Sequence, residues 1–168
     1  MRPFFEFAKK YFKENKITGA EVGVHVGYNA QDVLSNFPTL EKYYLVDSYL
    51  AYYEMPNQSD HDRFKKLGKE RVESFNNVEW IYSPSIIAAQ EIQNGYLDFV
   101  YIDADHSYEA CLDDIMAWSP KIRKGGLIGG HDYDNLAQDW GVKRASETWA
   151  KSSDYQLNHK DCDWWIII

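Results

Sequence analysis

Glu21-Val22-Gly23-Val24-His25-Val26-Gly27, taken with Leu45-Val46-Asp47, decides how this chain folds. Glu21 to Val24 reads as a short buried strand. Glycines at 23 and 27 let the backbone turn sharply and come close to a ligand. Ala30 to Phe37 has helical character and stops before Pro38. Tyr43-Tyr44-Leu45-Val46 is a second apolar strand and ends at Asp47. Strand, glycine turn, helix and strand in this order make a unit whose strands run parallel.

The alternation extends in both directions. Pro3 starts a helix in which Phe4, Phe7, Ala8, Tyr11 and Phe12 recur at helical spacing, and Gly19 ends that region. Ser59 and Asp62 read as a capping box for a helix running to about Phe75. Val78 to Tyr82 is a third strand. Ser83 caps a helix with Pro84 at its first position, ending at Gly95. Leu97 to Ile102 is a fourth strand and ends at Asp103. Ser107 caps a helix with Tyr108, Cys111, Leu112 and Ile115 on its apolar face, and Pro120 stops it. Gly126 to Gly129 is a fifth strand, and Val142, Ala145 and Trp149 mark another helix. Tyr155 to Asn158 and Trp164 to Ile168 have only a polar turn between them, so they pair antiparallel. The pattern predicts an α/β, Rossmann-like fold. Its seven-stranded sheet is mostly parallel, with helices on both faces and an antiparallel C-terminal strand. The chain reads as a single domain, with an N-terminal helix over residues 1–18 and the core over residues 19–168.

Bulk properties narrow the partners. The chain has 168 residues, 45% apolar and 26% charged, enough for a core without staples. A net charge of −8 argues against nucleic acid. The densest basic run, Lys121 to Lys124, falls where a helix–strand loop is expected. No apolar stretch is long enough to span a membrane, and Glu6 among the first aromatics argues against a signal peptide. Cys111 and Cys162 lack metal-type spacing and read as free thiols in a reducing compartment. A cytoplasmic protein acting on a small molecule is expected.

In such a sheet, ligands bind beyond the carboxyl ends of the strands, at the topological switch point. Gly23, Gly27, Asp47, Ser83, Asp103 and His131 all follow apolar runs. Asp47 lies twenty residues after Gly27, where a carboxylate can accept hydrogen bonds from both hydroxyls of a ribose. These features suggest an adenosine-containing cofactor. A pyrophosphate cradle requires Gly-x-Gly-x-x-Gly, but His25 occupies the middle glycine position. Glu21 would repel a pyrophosphate, yet it suits a cationic amino-acid headgroup.

On these residues the chain resembles the class I S-adenosylmethionine-dependent methyltransferases. The resemblance implies that Glu21, Gly23 and Gly27 shape the methionine pocket. It also implies that Asp47 holds the ribose, that Ser83 lies near the adenine and that Asp103 adjoins the cofactor.

A second constellation stands beside the first. Tyr101-Ile102-Asp103-Ala104-Asp105-His106-Ser107-Tyr108 closes the fourth strand, and Gly130-His131-Asp132-Tyr133 closes the fifth. Neighbouring strand ends share one rim, so these carboxylates and imidazoles converge. Such a cluster suits a divalent metal or acid–base work. The signatures resemble a methyltransferase subgroup with Asp-x-Asp-His and Gly-His-Asp, similar in layout to metal-dependent O-methyltransferases. That implies Asp103, His131 and Asp132 as metal ligands. Magnesium prefers all-oxygen sites, so His131 leaves room for manganese, another metal or none. Without a metal, His106 or His131 serves as general base, oriented by Asp103 or Asp105. Asp105 and Ser107 also suit plain helix capping.

The expected activity is O-methylation of a small hydroxylated molecule. An NAD-dependent oxidoreductase and a non-catalytic S-adenosylmethionine-binding partner protein are the alternatives. The aromatic segment from Tyr49 to Pro56 either covers the ligands or packs a dimer interface. The chain has no substrate-recognition insertion, which suggests that the acceptor is bound across a homodimer or with a partner subunit.

Overall fold

The computed structural model describes residues 1–51, 56–135 and 141–168. Its strands are β1 (Ile17–Val22), β2 (Leu40–Val46), β3 (Val78–Ile81), β4 (Leu97–Ile102), β5 (Ile122–Gly130), β6 (Leu157–Lys160) and β7 (Asp163–Ile167). The helices are α1 (Pro3–Phe12), α2 (Tyr28–Asn36), α3 (Gln58–Val72), α4 (Ser85–Gln90), α5 (Tyr108–Trp118) and α6 (Val142–Ser152). The seven strands form one sheet in the order β3-β2-β1-β4-β5-β7-β6. β1 to β5 run parallel, and β7 is antiparallel to both β5 and β6. The chain steps outward from β1 to β3, then returns to the other side of β1 with β4, so the switch point lies between β1 and β4. No described helix is long and apolar enough to cross a membrane.

Side chains alternate across the sheet with period two and supply a core on each face. Tyr43 and Leu45 join Phe99, Tyr101 and Leu127 under α1, α2 and the end of α3. Tyr44 and Val46 join Val100, Ile102 and Ile128 under α4, α5 and α6. α1 follows from Pro3 in its first turn, and it buries Phe4, Phe5, Ala8 and Phe12 against β4 and its neighbours.

Three local expectations are corrected. Gly19 does not end the N-terminal helical region. α1 stops at Phe12, and Gly19 lies inside β1, which spans Ile17–Val22 rather than Glu21 to Val24 and so begins before the expected core boundary at residue 19. The Phe99 ring of β4 lies over Gly19, where a side chain would overlap it. The third helix is capped at Asn57, not Ser59, because the backbone is still extended at Asn57 (φ −90°, ψ 108°) and turns helical at Gln58. Arg123 and Lys124 lie in β5, not in a loop, and the Arg123 Nε–H bonds Asp98 at 2.7 Å. The antiparallel strand β7 sits inside the sheet, leaving β6 at the edge.

One buried carboxyl has no counterpart in the sequence reading. The Trp118 indole N–H donates to Ser85 Oγ at 2.9 Å, so the Ser85 hydroxyl is free to donate to Asp114 on α5. Burial, with the nearby charges of Asp105 and Asp113, pushes the Asp114 carboxyl up to about 7 despite that bond.

Two outcomes follow from this packing. Gly19→Ala forces the Phe99 ring off its seat and costs about 1–3 kcal/mol in urea denaturation. Unchanged stability would contradict the packing at this position. Asp114 favours its protonated form in the fold, so its contribution is lost as pH rises from its ordinary value of 3.8 toward about 7. Asp114→Asn therefore gains on the wild type by up to about 1.4 kcal/mol per pH unit between about pH 5 and pH 7. A pH-independent difference would contradict this.

Candidate active site

A parallel ladder places the key residues. The N–H of Gly23, one residue beyond β1, bonds the Val46 carbonyl at 2.9 Å. The N–H of Asp47 bonds Ile81 at 3.2 Å, that of Asp103 bonds Val22 at 2.7 Å, and that of His131 bonds Ile102 at 3.1 Å. Each residue continues the hydrogen-bonding of its strand by one rung, so its side chain leaves the sheet from a fixed backbone. Gly23 has φ +88°, and a Cβ there would run into the Asp103 carbonyl. Only glycine serves both demands. The next position in the left-handed region is His25, at φ +51°.

Asp47 holds that strained turn. Its Oδ2 accepts the N–H groups of Val24 (3.0 Å) and His25 (2.9 Å), and its Oδ1 accepts that of Tyr49 (2.8 Å). The Tyr49 hydroxyl returns to the His25 carbonyl at 2.7 Å. A carboxylate has about four acceptor sites, so three amides leave about one. In this arrangement Asp47 has room for about one further donor rather than two.

Glu21, Gly23, Asp47, Ser83, Asp103 and His131 line one cavity of about 780 Å³, a size suited to a small-molecule ligand. Gly27 does not line it. It precedes α2 and packs against Gly68 of α3. Glu21 is buried and accepts the Tyr43 hydroxyl at 2.7 Å, and burial pushes its carboxyl up to about 7. Tyr49, Leu50 and Ala51 also line the cavity, while residues 52–55 of the aromatic segment lie outside the described residues.

The rim cluster lies at the same mouth. Asp103, His131 and Asp132 each offer a ligand atom, all within 4.8 Å of one another. The Nε2 of His106 lies 3.1 Å from Asp132 Oδ2 and 3.8 Å from Asp103 Oδ1. The Nδ1 of His131 lies 3.0 Å from Asp132 Oδ2. Burial opposes a charge on His106, but its hydrogen bonds to Asp103 and Asp132 outweigh it and raise the imidazole to about 9. Burial likewise opposes a charge on His131, yet Asp132 raises it. The same imidazoles hold Asp132 well below the usual carboxylate range, against the effect of burial. The carboxylates thus favour positive charge at this point, raising the affinity of both imidazoles for a proton. A divalent cation is the other way to satisfy them, and the mixed carboxylate–imidazole set fits a first-row metal better than magnesium. Asp105 and Ser107 are engaged in turning into α5: Asp105 Oδ1 accepts the Ser107 N–H at 2.8 Å, and Ser107 Oγ accepts that of Ala110 at 3.4 Å.

Sequence reasoning missed the network beneath the rim. Arg2 Nη1 donates to Asp103 Oδ2 at 2.6 Å and to the Tyr101 hydroxyl at 2.8 Å. Tyr101 donates to Asp163 Oδ1 at 2.9 Å, and Asp163 Oδ2 accepts the Phe4 N–H in the first turn of α1 at 2.9 Å. Pro3 signals a helix start but not where that start docks.

Comparison with known proteins agrees with this geometry. A family profile described as a methyltransferase domain matches residues 20–133, well over half of the chain. The TDP-rhamnose 3′-O-methyltransferase CalS11 of calicheamicin biosynthesis superposes with a TM-score of 0.67 at 12% identity, over 98% of this chain and 77% of that one. A candidate caffeoyl-CoA O-methyltransferase from Staphylococcus aureus gives 0.71 at 14%, over 100% and 84%. The S-adenosylhomocysteine-bound methyltransferase PaMTH1 of Podospora anserina gives 0.71 at 11%, over 98% and 76%. No curated protein sequence matches the chain. At these identities the structures speak for the fold, and the profile speaks for the family. Together they leave the nicotinamide and non-catalytic readings without support. With its glycine turn, its acid after β2 and its 3-2-1-4-5-7-6 sheet, the chain belongs to the methyltransferase-domain family and is a class I S-adenosylmethionine-dependent methyltransferase.

Proposed function

We propose that this enzyme methylates a hydroxyl oxygen of a small molecule, with a divalent cation held by Asp103, His131 and Asp132. The observation that carries the reading is the convergence of those donor atoms within 4.8 Å at the mouth of the cavity. When bound, S-adenosylmethionine supplies a methyl group already activated on a sulfonium, and a cation lowers the pKa of the acceptor hydroxyl. The chain's own groups position and deprotonate. Asp47 accepts from the ribose, Ser83 lies on the adenine side, and Glu21 with the Gly23 turn bounds the methionine end. The acceptor oxygen then sits near the rim, in line with the methyl carbon, where orientation alone contributes several kcal/mol. The O-methyltransferase names among the structural neighbours support this choice of atom. The acceptor side of the cavity is completed by a second copy of the chain or a partner subunit.

A second reading rests on a specific contact. Arg2 already compensates Asp103 at 2.6 Å, so the rim can work without a metal. His131, oriented by Asp132, then takes the hydroxyl proton in its neutral form.

The test is release of S-adenosylhomocysteine from S-adenosylmethionine in the presence of sugar-type and phenolic acceptors, with chelator, manganese or magnesium. Turnover should vanish with chelator, return better with manganese than with magnesium, and fall on the order of 10²–10⁴-fold in Asp132→Ala. Turnover that survives chelation and falls only in His131→Ala would overturn the metal in favour of the base. Methylation confined to nitrogen or sulfur acceptors would contradict the O-methyl reading.

A further inference from the structure

We infer that Arg2 is a cofactor-binding residue: its guanidinium takes the carboxylate of the cofactor's methionine end while Glu21 takes the neighbouring ammonium. The inference rests on reading the cavity as the S-adenosylmethionine site, and it names the partner of a charge that reading leaves unassigned. An amino-acid headgroup carries both signs, so its site must offer both within a few ångströms. The cavity is lined by six carboxyl groups, those of Glu21, Asp47, Asp103, Asp105, Asp114 and Asp132. Arg2 is the one lysine or arginine among the described residues that lines it. The cavity's His106 and His131 already face Asp132 Oδ2 at 3.1 and 3.0 Å, so a carboxylate entering this acidic cavity is attracted at Arg2. Glu21 and Arg2 line the same cavity, so the two can bracket a zwitterion.

The hydrogen-bonding inventory agrees. A guanidinium has five N–H donors in a planar fork. Nη1 spends its two on Asp103 Oδ2 and Tyr101 Oη. Nε and Nη2 keep three donors with no protein acceptor among the described residues, and the side chain stays 32% exposed. That open edge of the fork is what a carboxylate pairs with side by side.

The fork is also held in advance. Asp163 ties down the first turn of α1 through the Phe4 N–H and steadies the Tyr101 hydroxyl, while Phe4 and Phe5 are fully buried. Binding therefore orders little that was free. The docking of α1 is thereby explained: this helix delivers residue 2 to the site.

Calorimetry with S-adenosylhomocysteine and with its decarboxylated analogue, S-adenosyl-3-thiopropylamine, tests the assignment in wild type, Arg2→Ala and Arg2→Lys. Wild type should bind the full ligand about 10- to 100-fold more tightly than the analogue, as charge-assisted hydrogen bonds warrant. Arg2→Ala should lose that margin on S-adenosylhomocysteine and bind the analogue as wild type does, with Arg2→Lys between. Less than about twofold discrimination by wild type would overturn the assignment without any variant. An equal loss on both ligands in Arg2→Ala would reduce Arg2 to a structural residue and overturn it too. Failure of wild type to bind either ligand would instead strike the underlying cofactor reading, and the assignment with it.

Discussion

The molecule depends on one extra rung of parallel ladder. Gly23, Asp47, Asp103 and His131 are each the first residue beyond a strand, and each still donates its N–H to the carboxyl end of the neighbouring strand. The sheet, buried on both faces, thereby fixes where those backbones end and where their side chains begin. Because β1 and β4 are neighbours at the switch point, Gly23 and Asp103 are pressed together, and a Cβ at position 23 has no room. The ligand cavity lies just beyond these strand ends, lined by Gly23, Asp47, Asp103 and His131.

The rim above the ladder concentrates negative charge in a half-buried place, which is costly unless each charge is met. Here it is met three ways. Arg2 reaches in from α1 to Asp103, His106 and His131 share Asp132, and Asp163 accepts from Tyr101 and from the first turn of α1. The N-terminal helix is therefore not an appendage to the sheet. Its first turn is part of the site's electrostatics, and its aromatic face is part of the core.

Legibility in the sequence followed the range of the interactions. β2 and β4 were readable from their apolar runs Tyr43 to Val46 and Phe99 to Ile102, as befits strands buried on both faces. The Asp and His residues at their ends were readable for the same reason. β1, by contrast, was placed four residues late because Thr18, Gly19 and Glu21 interrupt its apolar run. Gly19 misled because its neighbour Phe99 lies eighty residues away, and nothing local distinguishes a glycine under a ring from a glycine ending a helical region. The spacing to Asp47 placed it at a strand end, but not that three backbone amides would occupy it. Arg2 and Asp163 were invisible: their partners Asp103 and Phe4 stand 101 and 159 residues off, and no periodicity carries such a contact. Asp132 was visible as a residue, but its left-handed backbone (φ +60°), which belongs to the turn out of β5, was not.

The central claim is that the strand-end rim seats an adenosine-bearing cofactor between the glycine turn and the Asp–His cluster. A crystal structure of the chain bound to S-adenosylhomocysteine tests it most directly. The account predicts a ribose hydroxyl on Asp47, the adenine beside Ser83, and the sulfur facing Asp103, His131 and Asp132. A ribose bound away from Asp47, or a sulfur turned away from that cluster, would contradict it.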